Sequence, residues 1–326
     1  MENIVIRRYQ PEDYLLWNNF VKEAKNATFL FHRDFMEYHK DRFEDFSLLI
    51  FFNNKLSAIL PANLKNNSLF SHEGLTYGGI VISEKLRSTV FFSIFKKLLI
   101  FLKNNGIEEL YIKGLPHFYT SQFSDEIKYL QFILSAEVYR KDICSVIDFS
   151  APYEISSSVI RDKKRAISNG YKIDFDGNLS SFWNDVLIPN LQATFQKKPV
   201  HSLNEILYLK SKFPENIKQI NVLSNEDRVV GGTTLFFNNQ TIHSQYISIY
   251  KNLPIRGVLD YLHCSIFDKF NSDYKYFDFG ISNENEGRKI NKGLLEWKEK
   301  FGARAAIQEF YRFEINKFEL LNTIYL

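Results

Sequence analysis

Apolar and polar positions along this chain switch between two periods. Residues 4–9 alternate with period two, the spacing of a half-buried strand. Pro11 then stands at a first helical position, with Glu12 and Asp13 in the first turn and Trp17, Phe20 and Val21 continuing the helix. A short helix is predicted over 33–42. Three strand-length apolar runs follow at 47–52, 56–64 and 68–71, parted by the turns Asn53-Asn54 and Asn66-Asn67. Thr76-Tyr77-Gly78-Gly79 leads into a strand at 80–82. Residues 84–104 space Phe91, Ile94, Phe95, Leu98, Leu99 and Leu102 as one helical stripe, which Gly106 ends. A strand at 107–113, a helix at 124–136 and a strand at 143–149 complete this half.

The second half repeats the order. A helix at 154–169 stops at Gly170, and a strand covers 171–175. Helices follow at 180–196 and from Ser202, where Ser202-x-x-Glu205 is a capping box: each side chain satisfies a backbone N–H of the first turn. Strands at 217–223, 228–237 and 241–250 precede a helix at 257–271, a strand at 275–279, a helix at 286–301 and a strand at 305–313. Each half sets an Asn-Asn turn and a histidine-bearing strand ahead of a long helix and a further strand. Asn67 and Asn239 stand 172 residues apart, about one domain. We read an internal duplication: α/β domains with mixed sheets at 1–150 and 151–326, linked near Ser150–Tyr153.

Composition narrows the function classes. The 41 Lys and Arg against 38 Asp and Glu give a net charge of +3, without the concentrated basic excess of a DNA-binding protein. Cys144 and Cys264 share no zinc-ligand or disulfide-framework spacing, so no metal site is expected. The N-terminal stretch has charges where a signal peptide needs an apolar run. The longest apolar stretch, 90–102, is broken by Ser93 and Lys96-Lys97, so no bilayer span and a cytoplasmic location are expected. Aromatic content is high at 16%. Phe91, Phe95, Phe236 and Phe277 fall on core stripes; Tyr77, Tyr246 and Trp297 fall in motifs.

The element order, helix pair, three antiparallel strands, helix, strand, helix, strand, resembles the GNAT acyltransferase fold. The tandem arrangement with "GLLEWKEKFGAR" is similar to its FemAB-like branch, whose final helix carries a Gly…Lys-x-x-Phe-Gly pattern; here these are Gly293, Lys298, Phe301 and Gly302. The segments "FLFHRDFMEYHKDRF", "SHEGLTYGG", "KKPVHS", "HSQYI" and "FDFGISNENEGRKINKGLLEWKEKFGAR" resemble a bacterial GNAT/FemAB-like group associated with cell-surface polysaccharide. The resemblance covers nearly the whole chain. It implies two tandem GNAT-like domains, with the donor site in the second.

It also implies roles. In GNAT enzymes two neighbouring strands splay, the donor's pantetheine arm enters the opening, and a helix N-terminus receives the pyrophosphate. Here those elements are residues 243–250, the loop 251–257, the helix from Val258 and the strand at 276–280. Tyr246, Lys251, Arg256 and Gly257 are then the residues for acetyl-CoA or another acyl-CoA. "KNLPIRGVLD" departs from the usual signature, supplying one glycine where two closely spaced ones are typical. An Arg and a Gly that merely open a helix fit equally well.

His243 and Gln245 share a strand face by alternation, and an imidazole titrating at about 6.5 suits proton removal from an attacking ammonium. A half-buried histidine bonded to a carbonyl fits the same residue. His72 and Glu73 occupy the matching strand of the first half; Glu73 fits a base, an amine anchor or a solvated strand end. His32, Arg33, Lys198 and His201 lie at helix entries that wall the acceptor cleft in this fold, or are caps and surface charges. Asn283, Tyr77, Gln245 and Lys298 complete the acceptor set.

Three functions follow. The first is an N-acyltransferase moving an activated acyl group to an amine of a sugar or cell-envelope precursor. The second is a FemAB-type transfer from aminoacyl-tRNA to a peptidoglycan precursor; the modest charge and the lack of a coiled-coil arm weigh against tRNA. The third is a non-catalytic saccharide-binding relative.

Overall fold

A computed structural model describes residues 3–325 apart from Asn252, Pro254 and Ile255. The chain divides into two compact units, one of Met1–Asp142, Asn285–Arg288 and Ile307–Leu326, the other of Ile143–Glu284 and Lys289–Ala306. The strand Glu137–Asp148 leaves the first unit at Asp142, and the strand Arg304–Glu314 re-enters it at Ile307.

The first unit contains an antiparallel sheet in the order Ile4–Arg8, Leu48–Phe52, Lys55–Leu60, Val81–Ile82. A second set of strands places Glu109–Lys113 between residues 310–314, antiparallel, and Ser68–Phe70, parallel. Asn63–Lys65 and Glu44–Asp45 continue it outward. Asn53 and Asn54 have φ of 48° and 64°, the left-handed pair that a two-residue hairpin requires. The helix Ser88–Asn104 buries all six residues of its stripe against Leu48, Ile50, Leu110 and Phe313.

In the second unit the strand order is Lys172–Asp174, Ile217–Leu223, Val229–Phe237, Thr241–Ile249, Tyr276–Ile281 and residues 144–148. All neighbours are antiparallel except Thr241–Ile249 and Tyr276–Ile281, which are parallel and therefore need the crossover helix Val258–Phe270. That helix packs with Ser157–Ser168 over a core of Ile220, Leu235, Ile242, Phe267 and Phe277. Residues 144–148, read from sequence with the first half, pair with Tyr276–Ile281 in this unit.

Two helices differ from expectation. The 180–196 segment is interrupted by a π-helical stretch, Phe182–Leu187, before Ile188–Phe195. Pro189 lacks the N–H that an α-helix would give to Asp185, and the wider turn absorbs the gap. The 286–301 segment opens instead as a hairpin, Asn283–Glu284 with Lys289–Ile290, and its helix begins at Lys292. Asn285, Glu286 and Gly287 all have positive φ, and the Asn291 side chain caps the helix through Leu294 N–H.

Candidate active site

The parallel pairing of the His243 strand with the Asp278 strand is short. Its register runs Thr241↔Tyr276, Ile242↔Phe277, His243↔Asp278 and stops there, although one strand continues to Ile249 and the other to Ile281. Beyond His243 the two strands form no further rung, so their main-chain groups are not paired with each other there.

A bulge lies at the same place. Leu235 faces Ser244 and Thr234 faces Tyr246, so Gln245 is the extra residue. Cross-strand partners share a face, and Phe236, Thr234 and Gly232 oppose His243, Tyr246 and Ser248. The bulge therefore breaks the alternation expected between His243 and Gln245, and puts His243 with Tyr246. Gln245 Oε1 is buried with no hydrogen-bond partner among the described residues.

His243 Nδ1 lies 2.9 Å from Asp278 Oδ2, with the carboxylate side chain 3% exposed and the imidazole 13%. A carboxylate only accepts, so Nδ1 carries the proton and the neutral ring's lone pair lies on Nε2. Asp278 Oδ1 accepts the Gly280 N–H at 2.7 Å. Gly280, at φ 74°, carries no Cβ where one would meet His243 Cε1. The Gly280 carbonyl accepts from Lys298 Nζ at 2.9 Å, and the Ile281 carbonyl from the same ammonium at 2.8 Å. Lys298 is thus a tether for the turn after Asp278. Burial pushes its pKa down to about 8, against the pull of Asp278. The rest of its motif is architectural too: Phe301 is buried among His263, Phe279 and Trp297, and Gly302, at φ 90°, packs on Glu154 and Tyr153. Trp297 belongs to that aromatic core.

On the face shared with His243, Tyr246 Oη accepts the His201 N–H and lies 2.6 Å from His201 Nδ1, and its ring meets Trp183 edge-on. Burial pushes its pKa up to about 12. Trp183 Nε1 donates to Thr234 Oγ1, and Asn190 Nδ2 to Ser248 Oγ. Trp183 comes from the π-helical turn and Asn190 from the helix that follows it. Asn283 Oδ1 accepts the Ile143 N–H. Lys198 is exposed.

Of the expected donor loop, Asn252, Pro254 and Ile255 lie outside the described residues. Lys251 and Arg256 are exposed, and Gly257 caps the crossover helix at φ 95°. A Cβ on Gly257 would lie 2.2 Å from the Asp162 carbonyl, so close packing requires the glycine. Asp260, in the first turn, has its pKa raised to about 6 by burial and by Asp162. The helix start, the two cations and the strand opening fit a thioester donor with a phosphorylated end. Among the described residues no group of His, Cys, Asp and Glu suits a metal ion, and no helix is long and apolar enough to cross a membrane.

The remaining sequence candidates belong to the first unit. Arg33 is buried, bonded to Glu37 at 2.9 Å and Asp45 at 2.5 Å and stacked over Tyr9. Tyr77 is 3% exposed and packs on Phe31 and Tyr119 in the interior. His72, at φ 65°, is enclosed with His39 and Phe43; burial and then His39 push its pKa to about 3. His32 stands at the N-cap position of a short helix, and burial, then Lys22, lowers its pKa to about 4. Glu73 accepts from Asn63 Nδ2 at 3.0 Å and Lys65 Nζ at 3.4 Å. Sequence reasoning missed Asp278, Trp183 and Asp260. Asp278 is the one with a signal: an acidic residue inside an otherwise aromatic strand, "FDFG".

No family model and no curated protein matches the sequence. Solved structures do. FemX superimposes with a TM-score of 0.65 at 10% identity, over 98% of this chain and 99% of FemX. L-PGS from Bacillus licheniformis gives 0.60 at 15% identity, over 97% and 96%. This chain has a FemAB-like, GNAT-type fold. A conserved protein of unknown function from Bacteroides thetaiotaomicron shares the fold at 0.56 and 11% identity, over 95% and 99%. In this fold the His243–Asp278 pair sits where the two parallel strands part.

Proposed function

We propose that the second unit is an N-acyltransferase site, with an acyl-CoA as donor and an amine of a sugar or cell-envelope precursor as acceptor. The observation that carries this is the placement of the His243–Asp278 pair at the last rung before the strands separate. The donor supplies an activated acyl carbon. Asp278 holds the imidazole in the tautomer whose Nε2 takes the proton from the attacking ammonium, and stabilises the imidazolium that results. Main-chain N–H groups along the opening steady the developing oxyanion. Lys298 keeps the Gly280 turn, and so Asp278, in place. Lys251, Arg256 and the N–H groups after Gly257 would hold the phosphorylated end. The buried His201, Tyr246 and Trp183 cluster backs the strand face that carries His243.

The FemAB-type alternative is a second donor, an aminoacyl-tRNA, acting through the same pair on a peptidoglycan precursor. Thermal stabilisation of the purified protein separates them, because a ligand of the native state raises its stability by mass action. Stabilisation by acetyl-CoA or a longer acyl-CoA supports the first donor. No shift with any CoA thioester at saturation, with a shift by aminoacyl-tRNA, replaces it with the second.

A further inference from the structure

The second unit carries a surface with no part in the reaction above: the loop from Lys197 to His201 and the helix Leu203–Lys212 that it leads into. The loop is fixed at both ends. Gln196 ends the preceding helix in left-handed backbone, φ 51°, and Tyr246 Oη accepts the His201 N–H at 3.2 Å. The Ser202 and Glu205 box then sets the helix start. Ile206 and Leu209 are buried on the side that meets the strand Ile217–Leu223. By helical spacing Asn204, Leu207, Tyr208 and Ser211 face away from it, and all four are exposed.

Two properties coincide on this surface. Apolar side chains stand in water: Val200 is 74% exposed, Tyr208 43% and Leu207 38%. Charge is one-sided as well, because residues 197–212 hold four lysines against one glutamate. Lys197 and Lys198 are exposed on the loop, and Lys212 Nζ lies 5.7 Å from the Tyr208 ring centroid. The one carboxylate is engaged in the cap, Glu205 Oε2 accepting the Ser202 N–H at 2.6 Å. A lone exposed leucine is ordinary. Three apolar side chains among lysines with so little opposing charge match an anionic bilayer. There the ammonium groups meet lipid phosphates, the phenol ring sits at headgroup level, and Val200 and Leu207 reach the acyl boundary. An RNA backbone would satisfy the lysines alone and leave the apolar side chains in water.

We infer that this surface docks the protein on an anionic phospholipid bilayer, whatever reaction the second unit performs. Sedimentation of the full chain with vesicles tests it, using phosphatidylglycerol mixed into phosphatidylcholine, and phosphatidylcholine alone, in low salt. The anionic vesicles bind at least about tenfold more tightly, and salt narrows the difference. Lys197→Gln with Lys198→Gln weakens binding by roughly tenfold or more, the effect of two cations at a lipid surface. Val200→Ser leaves the charge unchanged and weakens it at least about threefold. Arg161→Gln with Lys164→Gln removes the same charge from the helix Ser157–Ser168 and weakens it less. All five positions are exposed, so each variant keeps the wild-type melting temperature. No sedimentation with anionic vesicles, equal sedimentation with phosphatidylcholine alone, or an equal loss in the two double variants overturns the assignment. So does binding that ignores Val200→Ser and is displaced by polyuridylate, which gives the surface to nucleic acid instead.

Discussion

A Cβ placed on Gly280 would stand 3.2 Å from Cε1 of His243. The glycine holds left-handed backbone, gives its N–H to Asp278 and keeps its side free for the imidazole. Gly280→Ala is therefore expected to strain the backbone by about 1 kcal/mol and to displace the ring. Turnover should fall at least about tenfold, as a small misplacement of a proton-transfer group does, while the melting temperature drops by only a few degrees. Unchanged turnover in a folded variant would remove the ring from the reaction.

Asp278→Asn keeps the shape and loses the acceptor that selects the tautomer. An acyl-transfer assay should show kcat lower by roughly a hundredfold or more, with donor binding retained. His243→Ala should cost a similar factor, and the double variant little more, because groups acting as a unit are not additive. Full additivity would show that the two residues act separately.

Lys298→Met leaves the Gly280 and Ile281 carbonyls without their ammonium donor. Unfolding in urea should show a loss of about 2 kcal/mol, the usual size of hydrogen bonding from a charged donor. A stability equal to wild type would mean that the tether is dispensable.

Asp260 should add a pH dependence to anion binding at the start of the crossover helix. Its carboxyl, raised to about 6 by burial and then by Asp162, with Trp297 and Lys300 opposing, loses its charge as the pH falls through that value. An anionic ligand at the helix start should bind roughly three- to tenfold tighter at pH 5.5 than at pH 7.5 in low salt. Asp260→Asn should bind tightly at both. A pH profile identical in the variant would place the ligand elsewhere.

Stability should fall with acid before ordinary carboxylates titrate, with only the raised Asp260 carboxyl, protonated first in the folded state, offsetting one ring. His263 donates from Nδ1 to Leu259 O inside an aromatic cluster, and burial lowers its pKa to about 4. His32 and His72 are depressed to about 4 and about 3, also chiefly by burial. Unfolded imidazoles take a proton near pH 6.5, so between there and the folded values the unfolded chain binds more protons. Stability is full above pH 6.5 and declines below it by about 1.4 kcal/mol per pH unit for each ring. Urea midpoints measured from pH 7 to 4.5 check the slope, and His263→Phe should reduce it by one proton.

Local chemistry in the sequence located much of the fold. The Ser202 and Glu205 box is present as read, because its bonds lie within one turn. The strands that carry His243 and the helix after Gly257 were readable from period alone. The bulge at Gln245 was not, since it depends on the register of a partner strand. Nor was the Asp278 contact, made across 35 residues by a parallel pairing. Arg33 and Tyr77 looked like cleft residues, but long-range packing against Asp45 and Tyr119 turns both inward. The helix expected from residue 286 fails where three successive residues adopt positive φ, which no hydrophobic period announces.

The return of the chain at Ile307 orders events on the ribosome. Glu109–Lys113 waits for residues 310–314, close to two hundred positions later, before both its edges are covered. The second unit draws only on residues 143–284 and 289–306, all of them made before residues 310–314. The half synthesised first is the half finished last, and until then one edge of Glu109–Lys113 is open to wrong pairing.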